Sequence, residues 1–218
     1  MIVTIDGPAG AGKSSAAREL ARRLGFRFLD TGAMYRAVTL AARERDLDLA
    51  DADQLAKLVS EIRVELVGDR VLLNGTDVTA AIRKFDITTV IHYAADNAAV
   101  RGQLVVWQRA AAAHDNVVTE GRDQGTVVFP NAECKIFLTA GEDERARRRH
   151  ADLMARGENV PYDEVLENQR LRDYRDLSRP VGALLKADDA IEVSTDGLMP
   201  EEVVARLEQI VRSRQSKQ

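Results

Sequence analysis

The sequence predicts an α/β fold in which a parallel sheet of five strands lies between helices on both faces, in three layers. Short apolar segments with strand character alternate with longer segments in which apolar residues recur at helical spacing. Strands that are separated by helices pair in parallel, and the helices cover both faces of the sheet. One stretch departs from this alternation: two short alternating segments joined by Gly68-Asp69, which predict an antiparallel hairpin.

The elements follow one another in a regular order. Core strands are predicted at residues 2–6, 26–29, 116–119, 135–138 and 190–193, and the hairpin at residues 64–67 and 71–74. Helices are predicted at residues 14–24, 32–45, 52–62, about 86–113, 142–156, 162–177 and 200–212, with Thr31 as the N-cap of the second. Ligands of such a sheet bind at the carboxyl ends of its strands. The loops that follow the first three core strands are therefore the first candidates for a binding site.

The composition is that of a globular protein, with 45% hydrophobic and 30% charged residues among 218. A net charge of −4 argues against a general nucleic-acid-binding protein. No apolar run approaches the roughly 20 residues that span a bilayer, and the first residues enter a core strand rather than a signal peptide. We therefore expect a cytoplasmic protein that binds neither nucleic acid nor membranes. The single cysteine, Cys134, lies in an apolar strand and is expected to be buried and inert.

Arginine supplies most of the positive charge. Of the 31 basic residues, 25 are arginine and six are lysine. The planar guanidinium binds phosphate and carboxylate through two parallel hydrogen bonds, so the excess suits a site built around phosphates. A GC-rich genome explains the same excess equally well. Only the positions of the arginines can decide between these explanations.

A phosphate-binding loop follows the first strand. The motif G-x-x-x-x-G-K-[ST] is matched in full by Gly7, Pro8, Ala9, Gly10, Ala11, Gly12, Lys13 and Ser14, between a predicted strand and a predicted helix. Backbone N–H groups of such a loop surround phosphate oxygens, the lysine reaches the β- and γ-phosphates, and the hydroxyl is a ligand of Mg²⁺. The sequence therefore predicts a P-loop NTPase fold that binds a nucleoside triphosphate with Mg²⁺, and Ser15 extends the nucleotide site.

The segment after the second strand predicts a further anion site. Thr31 offers a hydroxyl at a helix N-terminus, and Arg36 lies about one turn further along the same helix. Helix N-termini bind anions through free N–H groups, so this pairing suits a second phosphate. An ordinary helix cap with a surface arginine is the alternative.

The segment 120–126, which we call the GRD loop, follows the third core strand. Gly121 and Gly125 bracket Arg122 and Asp123, which predicts a close approach of the backbone to a ligand. An ion pair between Arg122 and Asp123 is the alternative, but it leaves the two glycines unexplained.

Two groups of arginines occur near the end of the chain. Arg172, Asp176 and Arg179 stand at i, i+4 and i+7, which is one stripe of a helix. A similar group lies upstream and consists of Arg145, Arg148 and Arg149. A solvated face with ion pairs is the usual meaning of such runs, so either group alone is weak support for a site.

Taken together, these segments resemble the bacterial cytidylate kinase family. The segments GPAGAGKSS, LDTGAMYR, NGTDVT with Ile82-Arg83, Val100-Arg101, EGRDQGTVVFP and RDYRDLSR occur in the family's order, and the similarity extends from Ile2 to about Ile210. The resemblance implies transfer of the γ-phosphoryl group of ATP to CMP or dCMP with Mg²⁺, in pyrimidine nucleotide metabolism, by a monomer. It also implies a single kinase domain with a core at about 1–60, 114–141 and 180–215. A nucleoside-monophosphate-binding insertion is expected at about 61–113, and a short helical lid at about 142–179.

The resemblance also implies roles for individual residues. The acceptor phosphate is expected to contact Thr31, Arg36, Arg122 and Arg179; Arg101 and Asp123 are expected to recognise cytosine, and Arg172 and Asp176 the sugar hydroxyls. Three lid arginines, Arg145, Arg148 and Arg149, are expected to close over ATP and exclude water. Catalysis is expected to depend on Lys13, Arg122, Arg179 and Asp176, through positioning and electrostatics rather than a strong base.

The chain departs from the family pattern at two positions. His92 stands where a small hydroxyl residue usually contributes to the base pocket, and Gln124 stands where the GRD loop usually continues with Met. A histidine can donate to or accept from the base, so His92 is predicted to contact CMP; a surface helix residue is the alternative.

Two other functions are compatible with the phosphate loop alone. Another small-molecule P-loop kinase, for UMP, AMP or shikimate, has the same first motif but no reason to carry the GRD loop or the hairpin. A nucleotide-dependent switch or regulatory module is less favoured, because neither an [NT]-K-x-D motif nor an LSGGQ motif occurs in the chain.

Overall fold

The strands and helices alternate along most of the chain, as the sequence predicts. The computed structural model describes residues 1–216, apart from the side chain of Phe85. The strands are β1 (Ile2–Asp6), β2 (Arg27–Leu29), β3 (Val64–Val67), β4 (Arg70–Leu73), β5 (Thr76–Asp77), β6 (Val117–Gly121), β7 (Cys134–Thr139) and β8 (Ile191–Ser194). The helices are α1 (Lys13–Leu24), α2 (Thr31–Glu44), α3 (Ala52–Glu61), α4 (Phe85–Thr88), α5 (Ile91–Asp96), α6 (Ala98–Ala112), α7 (Glu142–Ala155), α8 (Tyr162–Ser178) and α9 (Pro200–Gln215).

The main sheet has five strands in the order β2-β6-β1-β7-β8. β1 pairs in parallel with both β6 and β7, and β7 pairs in parallel with β8, so the predicted α/β fold with a five-stranded parallel sheet is confirmed. Because β2 and β6 lie on one side of β1 and β7 and β8 on the other, the connections change direction at β1. Ligands of open α/β sheets bind beside such a switch point, at the carboxyl ends of the strands.

The first of two compact units comprises Met1–Phe28 and the described residues from Asn116 onward. Its core is formed by the apolar faces of β1, β6, β7 and β8 against α1 and α9, and its largest fully buried side chains include Ile5, Leu20, Ile136, Leu138 and Leu207. Cys134 is buried at the start of β7, as predicted. Burial raises the pKa of its thiol to about 11, which keeps it protonated and unreactive.

The second unit comprises Leu29–Asp115. It contains the predicted hairpin, β3 against β4, and a third antiparallel strand, β5, which is too short for a sequence pattern to reveal. The insertion predicted at about 61–113 lies within this unit, in which α2 and α3 share one apolar core with the hairpin and α6.

The helical stretches predicted from about residue 86 to 113 are α4, α5 and α6. Asn97 ends one helix and caps the next: its Oδ1 accepts from the N–H groups of Ala99 and Val100, each at 3.0 Å. Its Nδ2 donates to the carbonyl oxygen of Ala52 at 2.9 Å, which ties the cap to the start of α3. A buried asparagine at a helix start stops the preceding helix and begins a new one.

None of the helices in residues 1–216 is both long enough and apolar enough to span a bilayer.

Candidate active site

The phosphate loop joins the end of β1 to the start of α1, as predicted. Gly7 has φ 150°, and a Cβ on it would lie 2.0 Å from the carbonyl oxygen of Leu138 on β7. Because the backbone leaves β1 so close to β7, only a glycine fits at this position. The loop then reaches Gly12, in the left-handed conformation, which is the N-cap of α1 and has no side chain to satisfy the helix's first N–H groups. These donors are the anion-binding feature of a helix N-terminus.

Lys13 is buried in the first turn of α1. Its Nζ donates to the carbonyl oxygen of Pro8 at 2.7 Å, across the loop. Burial, together with the nearby guanidinium groups of Arg122 and Arg172, lowers the pKa of Lys13 to about 7, against the opposite effect of Glu120 and Asp176. Lys13, Arg122 and Arg172 therefore lie near one another in largely buried surroundings. An anion such as a phosphate would favour their charged forms.

Ser14 and Glu120 bring two oxygen groups together beside the loop. The Ser14 hydroxyl donates to Oε1 of Glu120 at 2.9 Å, and Glu120 is buried at the end of β6. Hydroxyl and carboxylate oxygens are the ligands that Mg²⁺ prefers, so this pair fits the predicted metal at Ser14. Sequence reasoning missed Glu120. An acidic residue at the carboxyl end of a strand adjacent to β1 was the available signal.

Asp176 holds two arginines together in the first unit. Its Oδ2 accepts from Nε of Arg122 at 2.5 Å, and its Oδ1 accepts from Nη2 of Arg179 at 3.0 Å. Although burial opposes it, Arg122 and Arg179 hold the pKa of Asp176 below its ordinary value. The predicted helical stripe ends early, because α8 stops at Ser178 and Arg179 has extended backbone as its C-cap.

The two glycines of the GRD loop are explained by packing within the protein. A Cβ on Gly121 would lie 2.8 Å from Cγ of Gln124, and one on Gly125 would lie 3.0 Å from the Oγ1 of Thr4. The expected reason, close approach of a ligand, is therefore not needed. Arg122 pairs with Asp176 on α8, and Asp123 is buried with 4% of its surface exposed.

Arg145 ties α7 to the phosphate loop. Its Nη1 donates to the carbonyl oxygen of Ala9 at 3.0 Å, and it forms an ion pair of 2.7 Å with Asp173 of α8. Gln169, also on α8, donates to the same carbonyl oxygen at 3.0 Å. The predicted lid arginines thus differ in their surroundings. Arg148 donates to the Oγ1 and the carbonyl oxygen of Thr195, each at 2.9 Å, whereas Arg149 is exposed.

In the second unit, α2 begins with an aspartate cap. Oδ1 of Asp30 accepts from the N–H of Ala33 at 2.9 Å, so the prediction of Thr31 as N-cap is wrong, and Thr31 is the first helical residue. An aspartate favours a helix N-terminus as strongly as a threonine does, and its charge adds to the effect. Arg36 reaches back to the same carboxylate oxygen at 3.4 Å. Thr31 and Arg36 therefore lie at the same helix start, as the sequence predicts.

Arg101 and His92 occupy different surroundings in this unit. Arg101 is buried on α6, where Nη1 donates to the carbonyl oxygen of Ala95 at 3.1 Å and the guanidinium lies 5.7 Å from the ring centroid of Tyr35. His92, on α5, is half-buried with its ring centroid 4.2 Å from that of Tyr93. A buried arginine against an aromatic face is held in one orientation.

Comparison with known proteins decides the family. The family model described as cytidylate kinase matches residues 3–213. The chain belongs to the cytidylate kinase family. The predicted resemblance is thus confirmed, and a cytidylate kinase is a phosphotransferase that acts on a nucleoside monophosphate.

Curated members of the family resemble the chain over almost its whole length. A cytidylate kinase of Rhodopirellula baltica is 48% identical over 97% of this chain and 93% of its own length. One from Carboxydothermus hydrogenoformans is 47% identical over 97% of each chain. The chain also matches 43% of a bifunctional pantoate ligase/cytidylate kinase of Gloeobacter violaceus at 45% identity.

A solved structure, TT1252 from Thermus thermophilus, has a TM-score of 0.50 over 98% of this chain and 96% of that chain. At 18% sequence identity, this likeness concerns the fold alone.

Proposed function

We propose that this chain transfers the γ-phosphoryl group of ATP to CMP or dCMP. An oxygen of the acceptor phosphate forms a bond to the γ-phosphorus while the bond to the β–γ bridging oxygen breaks, giving CDP or dCDP and ADP. The acceptor oxygen is already anionic, so no strong base is required. The observation that carries the proposal is the set of cationic groups around Lys13, which Arg122 and Arg172 supply beside a phosphate loop.

The donor side is formed by the phosphate loop. Its backbone N–H groups surround the phosphates of ATP, and Lys13 moves from the carbonyl oxygen of Pro8 to the β- and γ-phosphates. Ser14 and Glu120 would hold Mg²⁺, with the hydroxyl as a ligand and the carboxylate as a ligand or as a hydrogen-bond acceptor for a water on the ion. Mg²⁺ neutralises charge on the phosphates when it is bound.

The acceptor phosphate is bound by guanidinium groups. The carboxylate of Asp176 holds Arg122 and Arg179 side by side, and a guanidinium, with five N–H donors, is suited to bind a phosphate. Thr31 contributes a hydroxyl and Arg36 a further guanidinium to this phosphate, as the resemblance implies. These groups reduce repulsion between the two nucleotides and stabilise the charge that develops during transfer.

The nucleoside is recognised by a carboxylate and two arginines. A carboxylate at Asp123 accepts from the exocyclic amino group of cytosine and repels the carbonyl of uracil in the same place. Arg101 donates to the ring nitrogen and carbonyl of the base, with His92 as a further contact. Arg172 and Asp176 bind the sugar hydroxyls.

The arginines of α7 close over ATP and exclude water, so that transfer exceeds hydrolysis. Arg149 is the best placed of the three, since it is exposed and its charge acts on Arg172, whereas Arg145 and Arg148 already have protein partners. The family resemblance also supports a cytoplasmic monomer. Light scattering behind a sizing column tests the monomer.

A coupled assay of ADP formation tests the function. CMP, dCMP, UMP, AMP and shikimate are compared at equal concentration with ATP, in the presence of Mg²⁺ or EDTA. We expect the highest kcat/KM with CMP or dCMP, and none in EDTA. Lys13→Ala serves as the control against a contaminating kinase and should lower turnover by about 10²-fold. Preference for UMP or AMP would refute the base assignment, and ADP formation that no acceptor increases would favour a regulatory module.

A further inference from the structure

The GRD loop is attached to β1 through one buried carboxylate. Oδ1 of Asp6 accepts from the N–H of Gln124 at 2.9 Å, and Oδ2 accepts from the N–H of Gly125 at 2.7 Å. Asp6 is the last residue of β1 and lies beside Gly121 in the parallel register of β1 and β6. The carboxylate therefore fixes the backbone that follows Arg122 and Asp123 in the chain, while the pairing of β1 with β6 fixes the backbone that precedes them.

A second contact holds the same loop through a side chain. Oε1 of Gln124 accepts from Oγ1 of Thr119 at 2.8 Å, in the interior of the unit. This hydrogen bond connects the loop back to β6, at a residue five positions earlier in the chain. The side chain of Gln124 lies where a Cβ on Gly121 would stand, so Gly121 is required for this packing.

Both side chains already accept hydrogen bonds within the protein, Asp6 from the loop N–H groups and Gln124 from Thr119. Asp6 has 4% of its surface exposed and Gln124 has 2%, whereas Arg122, which they flank, is partly exposed. Gln124 therefore acts on the reaction through the backbone of the loop, and Asp6 acts both through that backbone and through its charge near Lys13 and Arg122. The two N–H donors on Asp6 also favour its ionised form, which burial and Asp123 oppose.

We propose that Asp6 and the Thr119–Gln124 pair are positioning residues for phosphoryl transfer, which fix the loop that presents Arg122 and Asp123 to the nucleoside monophosphate. The proposal rests on the proposed function. It explains how the acceptor site takes its shape before the substrate binds. Small displacements of groups that orient a reactant reduce rates strongly.

The stability of an Asp6→Asn variant separates positioning from a structural role. Burial raises the pKa of Asp6 to about 6, above the ordinary 3.8, so the folded state binds this proton more tightly than the unfolded chain. The ionised carboxylate therefore costs stability at neutral pH, and an uncharged amide relieves that cost. The amide also leaves one of the two buried N–H groups facing a donor, which lowers stability. Because these two effects oppose each other, we expect catalysis to fall with only a small net change in Tm.

The experiment compares four variants in steady-state kinetics with CMP and ATP, alongside thermal unfolding. Asp6→Asn and Thr119→Val remove acceptor and donor with little change of shape. Thr119→Ser retains the hydroxyl. Thr4→Val is the matched control, because Thr4 lies on the same face of β1 and its buried Oγ1 has no hydrogen-bond partner among the described residues.

We expect Asp6→Asn and Thr119→Val to lower kcat/KM for CMP by about 10- to 100-fold, with KM for ATP changed less than about twofold. Thr119→Ser and Thr4→Val should stay near the wild type. Unchanged kcat/KM for CMP in Asp6→Asn and Thr119→Val overturns the proposal, and so does an equal rise of both KM values. If Asp6→Asn does not fold, the comparison of Thr119→Val with Thr119→Ser decides. A wild-type protein that makes no CDP refutes the proposed function itself.

Discussion

Arg122 and Asp176 form an ion pair of 2.5 Å between the loop after β6 and helix α8, although 54 residues separate them in the sequence. Arg179 shares the same carboxylate at 3.0 Å. One carboxylate is thus shared by two guanidinium groups, and the charges of Glu120 and Asp6 also act on Arg122.

Replacing Asp176 with Asn should destabilise the protein. The variant leaves Arg122 and Arg179 without their shared counter-charge in surroundings that expose 17% and 7% of their side chains. Removing one partner of a buried ion pair costs about 3 kcal/mol, which urea denaturation at pH 7 measures. We also expect a higher KM for CMP or a lower kcat. A variant with unchanged stability and kinetics contradicts this account of Asp176.

Arg170→Gln is the matched control on the same helix. Arg170 pairs with Glu142 at 2.5 Å, but the two side chains are 56% and 42% exposed. Exposed pairs contribute about 1 kcal/mol or less, so this variant should unfold at nearly the wild-type urea concentration.

The stabilising contribution of Asp176 should also depend on pH. Because the pKa of Asp176 is lowered on folding, its contribution is present above about pH 4 and lost as the pH falls through the folded value.

Binding of the nucleotide should be accompanied by proton uptake at Lys13. Since burial lowers its pKa to about 7, most Lys13 side chains are neutral at pH 8 in the free protein. Phosphate oxygens favour the ammonium form and raise the pKa. Calorimetry in buffers of different ionisation enthalpy should therefore show uptake of up to about one proton more in the wild type than in Lys13→Met. Equal uptake in both proteins would mean that Lys13 is already charged.

Glu120→Gln should weaken the response to Mg²⁺. The amide keeps an acceptor for the Ser14 hydroxyl at a site where the carboxylate accepts at 2.9 Å, but it removes the charge that attracts a divalent cation. We expect the Mg²⁺ concentration for half-maximal activity to rise about 10-fold, as is usual when a group that supports a metal ligand is altered. Glu192→Gln, on an exposed pair with Lys186, is the control and should titrate like the wild type. An identical Mg²⁺ titration for Glu120→Gln removes this residue from the metal site.

Asp123→Asn should reduce the discrimination between CMP and UMP. An amide can accept from cytosine or donate to uracil, so the rejection of uracil is lost. We expect the ratio of kcat/KM values for CMP and UMP to fall about 10-fold or more. Selectivity that does not change assigns base recognition to other residues.

The core strands and the phosphate loop were predictable because their signals are local. β1 is mainly apolar, and the glycines that follow it stand at fixed spacings before Lys13, the first residue of α1. The boundary between the helical stretches predicted from about residue 86 to 113 depends instead on Asn97, whose side chain donates to the carbonyl oxygen of Ala52 in a distant part of the chain. A pattern of helical apolar spacing does not reveal such a contact.

The arginine groups show more clearly why the sequence alone could not locate the whole site. Arg145 and Arg148 stand in a run that is typical of a solvated helix face, yet they donate to Ala9 and Thr195. Other arginines, such as Arg45 and Arg212, form exposed ion pairs of no evident functional use. Some of the many arginines therefore hold the phosphate loop and its neighbours, and others form ion pairs on the surface. Only the tertiary contacts distinguish the first kind from the second.

The carbonyl oxygen of Ala9 accepts hydrogen bonds from both Arg145 and Gln169, so it connects the phosphate loop to α7 and to α8. A shift of this atom on phosphate binding would therefore change the hydrogen bonds to both helices together. A fluorescent label on the exposed side of α8 should then respond to an empty or filled loop, and so serve as an optical sensor of nucleotide occupancy without any chemistry taking place.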